Sequence, residues 1–214
     1  QMISDAQLHK HKYEYFIKTD IQNFFPSIDH EILLTMLESR INDKQIISLI
    51  KKAIKQTTVI AATASDEREK YTNIKGVPQG LSISGLLADL YLVNLIKKYQ
   101  NNKNIKFYKF VDDVLIFCNY ENLEQTKAEL INDFSELKLN IHPFQDYSKS
   151  IVGSSSEKFD FLGYTFYGAT TSVRSKSTQK MFVNLSKLFT KYKHGRYVNN
   201  EIFYQNLNLK ITGC

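Results

Sequence analysis

Tryptophan is absent from this chain, and proline occurs three times in 214 residues. Cysteine occurs twice, at Cys118 and Cys214, too few for a framework of cross-links. That excludes a small disulfide-stapled scaffold, and the thiol count fits a reducing cytoplasm. No stretch approaches the roughly 18 consecutive apolar residues of a membrane-spanning helix. Nor does the chain open on a secretory signal: residues 1–12 are polar and basic, with His9, Lys10, His11 and Lys12, and read as a surface lead-in. Internal repeats and low-complexity tracts are missing as well.

What is present is ample material for a core. Hydrophobic residues make up 43% and aromatics 13%, supplied entirely by 14 Phe and 13 Tyr, a composition that argues against disorder. The length suits one ordinary domain or two small ones. Lys and Arg number 28 against 22 Asp and Glu, for a net charge of +6 and a pI of about 9.1. A polyanionic partner fits that balance.

Along the chain, Tyr13 to Asp20 alternates with the period of a strand and delivers Asp20 at its end. Helices are expected from Ser27 or Asp29 to about Ile41, from Lys44 to Gln56, from Ser84 to Tyr99 and from Asn122 to Lys138, each on apolar residues at helical spacing. Residues 57–72 read as a short hairpin or loop. Gly76-Val77-Pro78-Gln79-Gly80 is a cluster of chain breakers. Lys149 to Val152 suggests a short strand, and Phe159 to Tyr167 an aromatic one. The tail from Thr170 is basic, and Phe182, Leu185, Leu188 and Phe189 predict a helix in it. With residues 30–80 set aside as an insertion, the order is strand, helix, strand, strand, helix, strand, that of a ferredoxin-like α+β fold.

Phe110-Val111-Asp112-Asp113 lies between two apolar runs and reads as the acidic turn of a hairpin. A solvated turn would account for an Asp pair by itself. In the βαββαβ order, however, the first strand and one arm of this hairpin are central neighbours, which brings Asp20 beside the pair. Three carboxylates at two strand ends suit hard divalent cations, and two such ions about 3.5–4 Å apart would promote phosphoryl chemistry.

Asp20 to Ile28 resembles motif A of reverse transcriptases, Gly76-Val77-Pro78-Gln79-Gly80 with the following Leu81-Ser82-Ile83-Ser84 their motif B, and Phe110-Val111-Asp112-Asp113 their motif C. Phe161-Leu162-Gly163-Tyr164 resembles the primer grip. The set stands in the family's order over residues 13–167. The resemblance implies a right-hand polymerase: a palm over 1–167, a partial fingers insertion at about 30–80, and the start of a basic thumb or connection over 168–214. It implies RNA-directed DNA synthesis with magnesium, or manganese in its place, on an RNA or DNA template and primer with dNTPs as substrates. Asp20, Asp112 and Asp113 become the catalytic carboxylates, with Ile21 added to the metal set.

Phe25 takes the place of the steric gate against a ribose 2′-OH, with Phe24 expected in the core. Gln79 and Gly80 take the nucleotide-contacting positions of motif B, where glycine permits close backbone approach. Lys149 matches the motif D lysine, a general acid toward pyrophosphate; a solvated surface lysine is the alternative. Ser84-Gly85 departs from the Ser-Pro of many group II intron and retron enzymes, and Leu81 to Leu92 looks more like the abortive-infection, phage-defence members. Only residues 1–19 precede Asp20, so the remaining fingers and thumb are expected from the rest of a longer chain. Two other classes fit parts of this pattern: a non-catalytic nucleic-acid-binding module of polymerase ancestry, and an RNA-dependent RNA polymerase. The intact Asp cluster speaks against the first. Val111 before the Asp pair, and Phe25, speak against the second.

Overall fold

The computed structural model describes residues 1–55, 57–59, 70–72, 75–195 and 199–212. The chain divides into two compact units, Gln1–Ser156 and Glu157–Cys214, so the boundary expected at 167/168 falls inside the second.

The first unit runs α1 (Met2–Lys10), β1 (Tyr15–Asp20), α2 (Phe24–Ser27), α3 (His30–Glu38), α4 (Lys44–Ile54), β2 (Thr57–Val59), β3 (Lys70–Thr72), α5 (Ser84–Tyr91), α6 (Val93–Asn101), β4 (Ile105–Phe110), β5 (Asp113–Cys118), α7 (Tyr120–Glu136) and β6 (Ile151–Ser154). Strands β4-β5-β1-β6 form one sheet in that order, every pair antiparallel, while β2 and β3 make a separate hairpin. With β1 and β5 central, this is the ferredoxin-like arrangement expected from the element order.

Alternation along the central strands explains why they pair as they do. Ile17, Val114, Ile116 and Cys118 point to one face and join Leu33, Leu87, Tyr91, Leu130 and Phe134 in a fully buried core. Phe16, Leu115 and Phe117 point to the other face and are buried too, with Tyr13 stacked on Phe117 at 6.5 Å and Tyr108 edge-on to it at 6.1 Å. A one-residue slip would exchange the two faces, so the register is tightly specified.

Several elements differ from expectation. The polar lead-in is the helix α1. It has no apolar stripe, and is anchored by buried Ala6 and by the Tyr108 hydroxyl, which donates to Asp5 Oδ2 at 2.8 Å. Asp29, rather than Ser27, caps α3, accepting from Glu31 N at 3.0 Å and Ile32 N at 3.1 Å. The helix expected over 84–99 is two helices, α5 and α6, separated at Leu92. The strand expected over 13–20 begins at Tyr15, and the one near 149–152 spans Ile151–Ser154. The tip of the expected hairpin or loop over 57–72 lies outside the described residues, as does Gln56, the expected end of the second helix.

The second unit contains β7 (Phe159–Phe161), β8 (Tyr164–Tyr167), β9 (Thr170–Val173), α8 (Ser175–Lys193) and α9 (Asn200–Thr212). The aromatic strand expected over 159–167 is thus the hairpin β7–β8. Leu162 (φ +49°) and Gly163 (φ +81°) form its turn, and Phe159 stacks on Phe166 at 5.0 Å. Positive φ at both central residues is the signature of a tight primed turn, which matches the twist of the flanking strands. Phe203 of α9 packs against Phe189 and Tyr192 of α8. No helix among the described residues is long and apolar enough to cross a membrane.

Candidate active site

The antiparallel register of β1 and β5 sets Asp20 directly opposite Asp113, and residues opposite one another share a face of the sheet. Val111 and Asp112 form the loop between β4 and β5. Val111 has φ +54°, costly for a β-branched residue and the kind of local strain that concentrates at functional sites. Asp112 O accepts from Ile21 N at 3.1 Å, so the loop is tied to the segment immediately after Asp20.

The same segment is paired on its other side. Gln22 N donates to Asn140 O at 2.8 Å, and His142 N to Asp20 O at 3.2 Å, around an Ile21–Ile141 bridge. This ladder draws 140–142 alongside Asp20 and brings His142 with it, while the segment leading into β6, held beside β1, brings Lys149. Lys149 Nζ donates to Asp20 Oδ2 at 2.9 Å. His142 Nε2 stands 3.7 Å from Asp20 Oδ1, and its Nδ1 lies 3.4 Å from Gln22 Nε2. Burial raises the Asp113 carboxyl above its ordinary value, and the neighbouring Asp112 and Asp20 charges raise it further, partly opposed by Lys18 and Lys149. The hydrogen bond to Asp20 raises the Lys149 ammonium.

After Asn23, which turns the chain at φ +47°, the single-turn helix α2 separates two adjacent rings. Phe24 is 2% exposed and belongs to the core; Phe25 is half-buried and packs against the core's edge. The breaker cluster is zipped to this turn. Val77 N donates to Phe25 O at 2.8 Å, Gly76 N to Ile28 O at 2.7 Å, and His30 Nε2 to Gly76 O at 2.6 Å. Only glycine fits at 76: φ is +86°, and an added Cβ would lie 2.8 Å from Pro26 Cα and O. Ser84 Oγ then donates to Pro78 O at 2.6 Å, tying the start of α5 back to the loop.

One cleft results. Its lining includes Asp20, Asp112, Phe25, Gln79, His142 and Lys149, so five residues singled out in the sequence converge on it. Ile21 also lines it; its hydrocarbon side chain has no donor atom, so it can offer an ion only its backbone carbonyl. Asp113 is half-buried opposite Asp20 and is not among the lining residues, nor is exposed Gly80. In the second unit, Phe161 is packed inside, Leu162 and Gly163 make the turn, and Tyr164 is 39% exposed. Sequence reasoning missed His142 and Gln22. Both belong to stretches without periodicity, and a lone histidine carries no spacing signal.

Among the described residues, no group of three or more His, Cys, Asp or Glu side chains is placed to hold a metal ion by itself. Magnesium seldom needs one: it keeps several waters and takes one or two carboxylates together with substrate phosphates. The oxygen-rich donor set here fits that open style of site. A cation already contacts Asp20 in the form of the Lys149 ammonium.

An antiparallel βαββαβ sheet carrying carboxylates at the ends of its two central strands is the palm of a right-hand polymerase. Residues 1–166 match the family described as reverse transcriptase (RNA-dependent DNA polymerase), and the chain belongs to that family. An uncharacterised 91 kDa protein in the cob intron of Schizosaccharomyces pombe is 38% identical over 95 residues, 44% of this chain and 11% of that protein. The group II intron-encoded protein LtrA of Lactococcus lactis is 32% identical over 83 residues, 39% of this chain and 13% of that protein. The retron Ec73 reverse transcriptase of Escherichia coli is 27% identical over 170 residues, 69% of this chain and 48% of that protein. The chain therefore spans less than half the length of each. Apo telomerase from Candida tropicalis shares the fold, with a TM-score of 0.64 at 17% identity, over 80% of this chain and 39% of that one.

Proposed function

We propose that this chain is the palm, with part of the fingers, of an RNA-directed DNA polymerase that adds dNTPs to a primer 3′-OH. The observation that carries the reading is the juxtaposition of Asp20 with the Asp112-Asp113 pair beside a cleft that also receives Phe25 and Gln79. Residues 30–80 supply fingers, and the basic helical segment after 168 begins the thumb. The rest of a longer protein completes both.

In this reading Asp20, Asp112 and the Ile21 carbonyl would hold magnesium or manganese, with Asp113 adding its negative charge beside them. When bound, such ions would lower the pKa of the attacking hydroxyl and stabilise the negative charge that develops on the leaving oxygen. Asp20 and Asp112 would fix where those ions stand, because both are tied to the β1–β5 ladder. Gln79 meets the template base and incoming nucleotide from the edge set by the Gly76 zip, and Gly80 leaves room for the nucleic-acid backbone. Phe25 closes the space a 2′-OH would need. Lys149 donates a proton toward the departing pyrophosphate. Leu162, Gly163 and Tyr164 contact the primer, and Phe161 anchors their hairpin. Of the two settings considered, a retroelement and phage defence, the intron-encoded and retron relatives support the retroelement.

Replacing Asp112 by Asn in the full-length protein tests the assignment. The rate of primer extension should fall by about a thousand-fold, a loss of roughly 4 kcal/mol of transition-state stabilisation. Thermal stability without metal should hold or rise, because one of the charges crowding Asp113 is gone. Near-normal extension would favour the non-catalytic binding module instead.

A further inference from the structure

We propose that Lys149 is a built-in competitor for the metal position at Asp20: its ammonium occupies the carboxylate and must be displaced before a divalent cation can bind there. The proposal rests on the polymerase reading of Asp20.

The geometry favours displacement of the lysine over movement of the aspartate. Asp20 is held on both sides, by the β1–β5 register and by the bonds to Asn140 and His142 around it, and its side chain is only 16% exposed. The Lys149 side chain is 62% exposed, so solvent is there to receive its charge. Its backbone is nevertheless anchored: the next residue, Ser150, is 1% exposed, and its hydroxyl shares a 2.5 Å hydrogen bond with Thr19 Oγ1 on β1. Lys149 is thus a flexible arm on a fixed shoulder. His142 stands at the other carboxylate oxygen, so an ion approaching Asp20 meets a cation or a proton donor on either oxygen. An ammonium at hydrogen-bond distance and a divalent ion on the same carboxylate repel one another, because both charges then lie within a few ångströms. The arm stabilises Asp20 before metal arrives and, once released, is free to turn toward substrate phosphates.

Mn2+ binding, followed by electron paramagnetic resonance on the full-length protein without nucleic acid or nucleotide, separates this from simple background charge. Lys149→Gln should tighten Mn2+ binding about fivefold, the worth of an ion pair at the upper end of the surface range. Lys149→Arg should bind no more tightly than wild type. Lys18→Gln removes a charge that also acts on Asp113 but leaves the Lys149–Asp20 contact; it should tighten binding by less than about twofold. Unchanged affinity in Lys149→Gln, or equal gains in Lys149→Gln and Lys18→Gln, would overturn the competition while leaving the metal site standing. Absence of Mn2+ binding in wild type and all variants would overturn the metal site and the competition together.

Discussion

Phe24 and Phe25 are adjacent, yet one is 2% exposed within the core and the other is half-buried at the cleft. Their substitutions should therefore separate stability from selectivity. Truncating a core phenylalanine costs about 3–5 kcal/mol, and for a chain of this size each kcal/mol shifts the melting temperature by about 2–4 °C. Phe24→Ala should melt about 6–20 °C lower, with sugar selectivity intact in whatever remains folded. Phe25→Val should melt close to wild type and incorporate ribonucleotides more readily. Thermal melts paired with dNTP and rNTP incorporation would show it. Unchanged selectivity in Phe25→Val, or exchanged phenotypes, would place the gate elsewhere. Alternation could not choose between the two rings, because it ends at Asp20 and the chain turns at Asn23. Only the motif spacing pointed to Phe25. His142 was illegible for a related reason: it reaches Asp20 through backbone pairing of two irregular segments, which leaves no periodic trace.

At the scale of elements, the breaker cluster turns out to be a clasp. Gly76 and Val77 hydrogen-bond the turn that carries Phe25, and Gly76 lies against Pro26 so closely that no side chain fits. Gly76→Ala therefore combines a strained positive φ, about 1–3 kcal/mol, with a backbone clash that cannot relax by rotating a side chain. It should lower the melting temperature by about 5 °C or more and weaken dNTP use, read as a raised KM, because Gln79 and Phe25 lose their shared support. A wild-type melting curve and KM would mean the clasp is not needed. The sequence exposed this element through its glycines and proline. It concealed α1, which lacks an apolar stripe and is held by the Tyr108–Asp5 hydrogen bond. It concealed equally the break between α5 and α6: Leu90, Tyr91 and Leu95 keep helical spacing across Leu92, with no Gly or Pro to mark the interruption.

For the molecule as a whole, the βαββαβ order was legible because the strands are short, β-rich and separated by helices with clear stripes. The sheet order β4-β5-β1-β6 follows from that order once the acidic hairpin is recognised. The neighbourhood of Asp20 and the acidic pair was legible from the same order although their strands lie far apart in the chain; what the order left open is the register, which sets Asp20 opposite Asp113. The division after Ser156 left no compositional mark. The claim that unites these scales is templated DNA synthesis at the Asp20–Asp112 cleft. Its most direct test is extension of a DNA primer on a defined RNA template by the full-length protein with magnesium, withholding each dNTP in turn. The products should stop one position before the first template base that calls for the missing nucleotide, and Asp112→Asn should yield no comparable ladder. Products whose lengths ignore the template, or an Asp112→Asn ladder equal to wild type, would contradict the account.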